Sequence, residues 1–168
     1  MLITAGAEPF RAGSDFVQVR EPGLEARALA RVTRAWIAAS GAKVLVNDRA
    51  DVGIACGAAG VHLRDRSISP TRIRLIAPAD FVITVACHNA EGVLRAADEG
   101  ADYAILAPVF APLSKPADRP PLGLDALGSI TAKARIPVIA LGGITAENAP
   151  RCIGAGAIGV AGITMFRP

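Results

Sequence analysis

Eight short apolar runs divide this chain of 168 residues, and most of the gaps between them are long enough to hold a helix and are patterned like one. The runs cover 2–5, 16–20, 43–47, 60–63, 81–86, 101–107, 137–141 and 158–163. Most are continuous in Val, Ile, Leu and Ala rather than alternating, the pattern of strands buried on both faces. Between the second and third runs, Leu24, Ala28, Leu29, Val32, Trp36 and Ala39 recur at helical spacing. After the fifth, His88-Asn89-Ala90-Glu91 opens a helix. Near the C-terminus, Thr145-Ala146-Glu147-Asn148 resembles a capping signal with Thr145 as the cap. Strand–helix alternation implies a parallel sheet. Eight such units predict one domain, a closed (β/α)8 TIM barrel, with an incomplete open α/β sheet as the alternative. The composition agrees: 52% hydrophobic but only 4% aromatic residues makes a core of small aliphatic side chains.

The barrel is expected to be minimal, since such folds typically need ~250 residues. The gap between the first two runs holds only residues 6–15, with Pro9 and Gly13 inside it, and only Met165 to Pro168 follow the eighth. The first and last helices are therefore expected to be missing or stunted. They are neighbours on the outer ring, so their joint loss would bare an apolar flank that soluble monomers rarely expose. A homodimer is the expected remedy.

A net charge of +3 suits anionic ligands but shows no basic stripe, which argues against nucleic acid. Cys56, Cys87 and Cys152 are widely spaced in apolar or small-residue surroundings and read as buried thiols of a reducing compartment. With neither a leader-like segment nor a run of ~20 apolar residues, the expected setting is the cytoplasm, away from membranes.

In a barrel the chemistry sits at the C-terminal ends of the strands, and the loops after the last two strands commonly bind phosphate. Here those ends are Leu141-Gly142-Gly143 and Gly162-Ile163-Thr164. Glycine lets a backbone N–H approach a phosphate without an intervening side chain. A phosphorylated small molecule is the expected ligand. Gln18 and Arg20 share one side of their strand; Arg20 either meets an anion or pairs internally with Glu21 or Asp48. Of Asn47 and Asp48, one faces the site and the other the rim. Asp48 either binds Mg²⁺ or pairs with Arg20 or Arg49. His62 is an acid–base group or a hydrogen-bonding pillar. The proline-rich segment 111–121 reads as a lid in which Lys115 and Arg119 could close over an anion.

Six segments, in this order and spacing, resemble thiamine phosphate synthase and its paralogue TenI, the thiazole tautomerase. They are Gln18-Val19-Arg20-Glu21, Val46-Asn47-Asp48-Arg49, Gly60-Val61-His62-Leu63, Ala101-Asp102-Tyr103, Pro108-Val109-Phe110 with Ser114-Lys115-Pro116, and Ala140-Leu141-Gly142-Gly143-Ile144. The resemblance runs from about Phe16 to Thr164. It implies a (β/α)8 barrel that joins a hydroxymethylpyrimidine pyrophosphate to a thiazole phosphate. Arg20, Asn47 and Lys115 would hold pyrophosphate, Asp48 would hold Mg²⁺, and Gln18 would lie against the pyrimidine. Gly142, Gly143, Ile163 and Thr164 would cradle the thiazole phosphate.

The chain departs from that pattern at several points. Pro22 replaces a pyrophosphate lysine, and Ala86 replaces a serine. Pro112 and Ser114 replace two threonines. Ser67 stands where the second metal-binding aspartate is expected, leaving Asp65, two residues earlier, as the substitute ligand. The histidine used by TenI before Val109 is Pro108.

Overall fold

The computed structural model describes residues 1–6, 8–10, 13–111, 119–163 and 165–166. All eight expected strands form: β1 (Leu2–Ile3), β2 (Phe16–Val19), β3 (Lys43–Asn47), β4 (Gly60–Leu63), β5 (Val82–Cys87), β6 (Tyr103–Leu106), β7 (Val138–Leu141) and β8 (Gly159–Ala161). They pair in chain order, each parallel to the next. A parallel bridge joins Leu2 to Gly162, with Ile3 N donating to Gly162 O at 2.9 Å and Gly162 N to Met1 O at 3.1 Å. That bridge closes the sheet on itself and rules out the open-sheet alternative.

Helices α1 (Ala26–Ser40), α2 (Ala50–Cys56), α3 (Pro70–Arg74), α4 (Ala90–Asp98), α5 (Gly123–Thr131) and α6 (Ala149–Gly154) fill the crossovers from β2 to β8. Among the described residues, none lies between β1 and β2 or after β8, as expected of a minimal barrel. No helix of the described residues is long and apolar enough to cross a membrane.

Period-two alternation sorts the strands into an inner and an outer layer. Ile3, Leu45, Ile105, Ile139 and Ala161 pack inside the barrel, capped at one end by Phe16 and Tyr103 with ring centroids 5.5 Å apart. Outside, Leu2, Val17, Val19, Val44 and Val46 pack under Leu29 and Trp36 of α1.

The expectation of a bare flank is corrected here. Leu2, Val17 and Val19 are each 0% exposed within the single chain. Phe10, from the β1–β2 connection, meets Trp36 edge-on at 5.4 Å, and Phe166 packs on the same cluster from beyond β8. These strand side chains are thus covered within the single chain.

Gly60 shows how tightly the wall is built. A Cβ there would lie 2.0 Å from the Val82 carbonyl oxygen and 2.8 Å from Leu45 Cδ2. At the opposite end from the site, the Asp102 carboxylate accepts from Ile83 N at 2.7 Å and from Arg74 at 2.6 Å, tying β6, β5 and α3 together.

Candidate active site at the barrel mouth

The polar side chains that the apolar strands carry inward gather toward the C-terminal ends. Gln18, His62 and Thr84, together with Thr4 just past β1, are all buried, and most buried polar groups are hydrogen-bonded. Each has a partner. Gln18 Nε2 donates to Asn47 Oδ1 at 2.9 Å. That bond occupies the Asn47 carbonyl and leaves its amide NH2 as the group offered to a ligand, a donor suited to an anion. Thr4 Oγ1 donates to Glu21 Oε1 at 2.5 Å and accepts from Arg20 N at 2.9 Å. Glu21 also accepts from Gly6 N at 2.9 Å.

Glu21 is therefore a backbone fastener rather than the Arg20 counter-ion. The Arg20 side chain itself is exposed, past the last paired residue of β2.

His62 Nδ1 lies 2.8 Å from Thr84 Oγ1, on the neighbouring strand. Burial pushes the imidazole down to about 4, with Asp48 pulling the other way and Arg20 adding to the fall. The ring is neutral at pH 7, which suits a hydrogen-bonding pillar.

Asn47 and Asp48 divide as expected. Asn47 faces the barrel. At Asp48 the backbone turns into the left-handed region, φ 62°, while its N–H stays bonded to His62 O at 2.7 Å. Asparagine and aspartate tolerate this conformation better than other side-chain-bearing residues. The turn sends the carboxylate toward the β4–α3 connection, and the expected pairing with Arg20 or Arg49 is corrected. Arg49 binds Asp51, Nε to Oδ1 at 2.8 Å. Asp48 instead takes Arg64, whose Nε donates to Oδ2 at 2.7 Å and whose Nη2 closes an ion pair on the same oxygen. Ser67 Oγ donates to Oδ1 at 2.5 Å, and Arg64 N approaches that oxygen at 3.4 Å. Burial works against the charged form of Asp48, but Ser67 and Arg64 outweigh it and hold the carboxyl below its usual range.

A carboxylate offers about four acceptor positions, and these four donors match them. Asp65 is held elsewhere, 3.6 Å from Arg95 of α4. Among the described residues no cluster of three His, Cys, Asp or Glu side chains is placed to hold a metal. The two carboxylates expected to share Mg²⁺ are thus occupied by different cations, and the donor set does not fit a divalent ion.

Across the mouth the β7 end is made of backbone. Gly142 and Gly143 have φ of 100° and 60°. A Cβ on Gly142 would lie 2.7 Å from Pro108 Cα, and one on Gly143 would lie 2.3 Å from Ala111 O. The turn is held against the β6–α5 segment by Phe110 N donating to Gly142 O at 3.0 Å. Asn148 fastens it from the other side, Nδ2 to Gly143 O at 2.9 Å, while its Oδ1 accepts from Thr145 N at 2.9 Å. Thr145 Oγ1 in turn accepts from Asn148 N at 3.3 Å and Ala149 N donates to Thr145 O at 3.0 Å, so Thr145 and Asn148 form the expected reciprocal capping pair just ahead of α6. Ile163 packs with the barrel interior. Lys115 and Thr164 lie outside the described residues, as does most of the expected lid.

The model of the thiamine monophosphate synthase family matches residues 2–166. This chain belongs to the thiamine monophosphate synthase family. The thiamine-phosphate synthase of Methanoculleus marisnigri is 43% identical over 155 residues, covering 90% of this chain and 74% of that protein. That of Methanoregula boonei is 39% identical over 155 residues, covering 90% and 72%. Among solved structures, the thiamine phosphate pyrophosphorylase from Pyrococcus furiosus superposes with a TM-score of 0.79 at 29% identity, covering 97% of this chain and 84% of that one.

As a thiamine monophosphate synthase family member, the chain has one of its departures, Ser67, seated against the Asp48 carboxylate. Ser67 and Arg64 both land on Asp48. Sequence reasoning noted Ser67 as a loss and gave Arg64 no role. It missed Asn148 as the fastener of the glycine turn. The Arg64–Asp48 pair spans 16 positions, so no local pattern announces it; the one available signal was a run of two arginines flanking Asp65 immediately after β4.

Proposed function

We propose that this chain is a transferase that joins hydroxymethylpyrimidine pyrophosphate to thiazole phosphate, giving thiamine phosphate and pyrophosphate. The observation that supports it most is the ordered amide pair Gln18–Asn47 at the β2 and β3 ends, beside exposed Arg20, with a glycine turn after β7. In the reaction the bond from the pyrimidine methylene carbon to the pyrophosphate oxygen breaks, and its electron pair leaves on oxygen. The thiazole nitrogen lone pair then forms the new carbon–nitrogen bond. No proton has to move in either step. Such a site needs donors and positive charge aimed at the leaving group rather than a general base. Arg20, Lys115 and the Asn47 amide supply these. Gln18 lies against the pyrimidine, and Gly142, Gly143, Ile163 and Thr164 hold the thiazole phosphate.

A Mg²⁺ ion, which the family resemblance implies, would neutralise the leaving pyrophosphate. The donors around Asp48 and Asp65 do not fit it, and no step is routed through it. A TenI-like tautomerase needs a proton carrier; Pro108 stands at one expected position, and His62 is held neutral against Thr84.

The test is an endpoint assay with both substrates, detecting thiamine phosphate as its fluorescent oxidation product, with and without Mg²⁺. Wild type should form product, and Arg20→Ala and Lys115→Ala should each lose about 10²-fold or more, the range for removing one donor to a developing charge. No product in either condition, beside a working synthase run in parallel, overturns transferase activity. Thermal stabilisation by thiazole phosphate without product would leave a non-catalytic phosphate binder.

A further inference from the structure

We propose that the guanidinium of Arg64 takes the place of a divalent cation on Asp48 and meets the pyrophosphate of the ligand as a built-in positive charge. The ligand's chemistry here rests on the transferase proposed above. The Asp48 side chain is 16% exposed and that of Arg64 70%. The negative charge is turned inward and the positive charge outward, as they would be with a metal bound from solvent. Arginine has five N–H donors in a fixed fork. Nε and one Nη2 hydrogen address Asp48, which leaves three for a second acceptor. A planar fork can hold a carboxylate on one edge and a phosphate oxygen on another, which a lysine cannot do.

Ser67 completes the exchange. A hydroxyl in place of a second carboxylate removes one negative charge, and its proton goes to Asp48 Oδ1 at 2.5 Å. One carboxylate with one guanidinium is neutral, whereas two carboxylates facing each other would need a dication. A cavity of about 430 Å³ lies between the β4–α3 and β5–α4 connections, and Arg64 and Arg66 line it. Its Asp65 is offset by Arg95 at 3.6 Å, while Glu91 and Glu99 also line it and Arg20, Asn47 and Asp48 do not.

The test uses two probes on the full chain, Mn²⁺ alone and inorganic pyrophosphate alone. By electron paramagnetic resonance, wild type should bind Mn²⁺ no better than Asp48→Asn, while Arg64→Gly/Ser67→Asp should bind it at least about tenfold more tightly, because two open carboxylates are then available. By calorimetry in EDTA, wild type should bind pyrophosphate, with added Mg²⁺ changing the affinity little. Arg64→Gln should weaken binding about tenfold, the order expected for a charge-assisted hydrogen bond, and Arg64→Lys should not restore it.

The proposal is overturned if wild type binds Mn²⁺ through Asp48, if pyrophosphate needs Mg²⁺, or if Arg64→Gln binds pyrophosphate normally. Pyrophosphate that binds under neither condition overturns Arg64 as its contact and with it the pyrophosphate half of the transferase. Product formed in the endpoint assay only with Mg²⁺ would uphold the transferase while overturning the replacement of metal by Arg64.

Discussion

The two sides of the barrel mouth are built from different material. From β2 to β4 the site is side chains: Arg20, Asn47, Asp48 and Arg64, each presented by a strand end or the loop after it. At β7 it is backbone: two glycines pressed against the Pro108–Ala111 segment and fastened by Asn148. A side-chain site changes character by single substitutions, because exchanging Asp for Ser at position 67 leaves the strands untouched. A backbone site is bound up with packing. Gly143 is demanded by the Ala111 carbonyl at 2.3 Å from its would-be Cβ, with or without a phosphate. The Ser67 departure from the family pattern falls on the first kind of surface, while the Gly-Gly turn is kept.

The sharpest way to break this contrast is Gly143→Ala. It should cost roughly 3 kcal/mol or more, combining a left-handed residue with backbone overlap, and urea denaturation measures it. A loss under about 1 kcal/mol would mean the turn relaxes freely, and its glycine would then have to be explained by the ligand.

Next is the pH response of His62. Its folded value, about 4, lies below the ordinary 6.5. Between those values the unfolded chain binds more protons, so the native state loses stability as pH falls from 6.5 toward 4. The full effect approaches about 3 kcal/mol and is absent at pH 7. Wild type compared with His62→Gln in urea melts across that window isolates it. Parallel curves would show that the ring is solvated and free to titrate.

The smallest effect sharpens the comparison from the backbone side. Asn148→Ala removes the bond to Gly143 O and should cost about 1 kcal/mol. It should also weaken inorganic phosphate binding while leaving pyrophosphate binding at Arg64 unchanged. Equal losses of both ligands would mean that the two sides do not act separately.

Much of this was legible in the chain itself. Strands buried on both faces carry unbroken apolar runs, so all eight were readable to within a residue or two at most ends. Gln18 was readable as an inward polar residue because period two is local, whereas the sequence left open which of Asn47 and Asp48 turns inward. Other features were not. Phe10 and Phe166, 156 positions apart, pack on the same outer cluster, and nothing near either one in the sequence says so. Thr145 and Asn148 were readable as a capping pair from their spacing, but the bond from Asn148 Nδ2 back to Gly143 O, which ties that cap to the glycine turn, was not.

The sequence by itself determined the barrel and the family. Hydrophobic periodicity, glycine turns and motif order are short-range properties of a chain. Only the tertiary structure decided which charge meets which. A carboxylate's partner is chosen by where several loops converge, and here one left-handed residue at position 48 turns Asp48 away from Arg20 and Arg49 and onto Arg64.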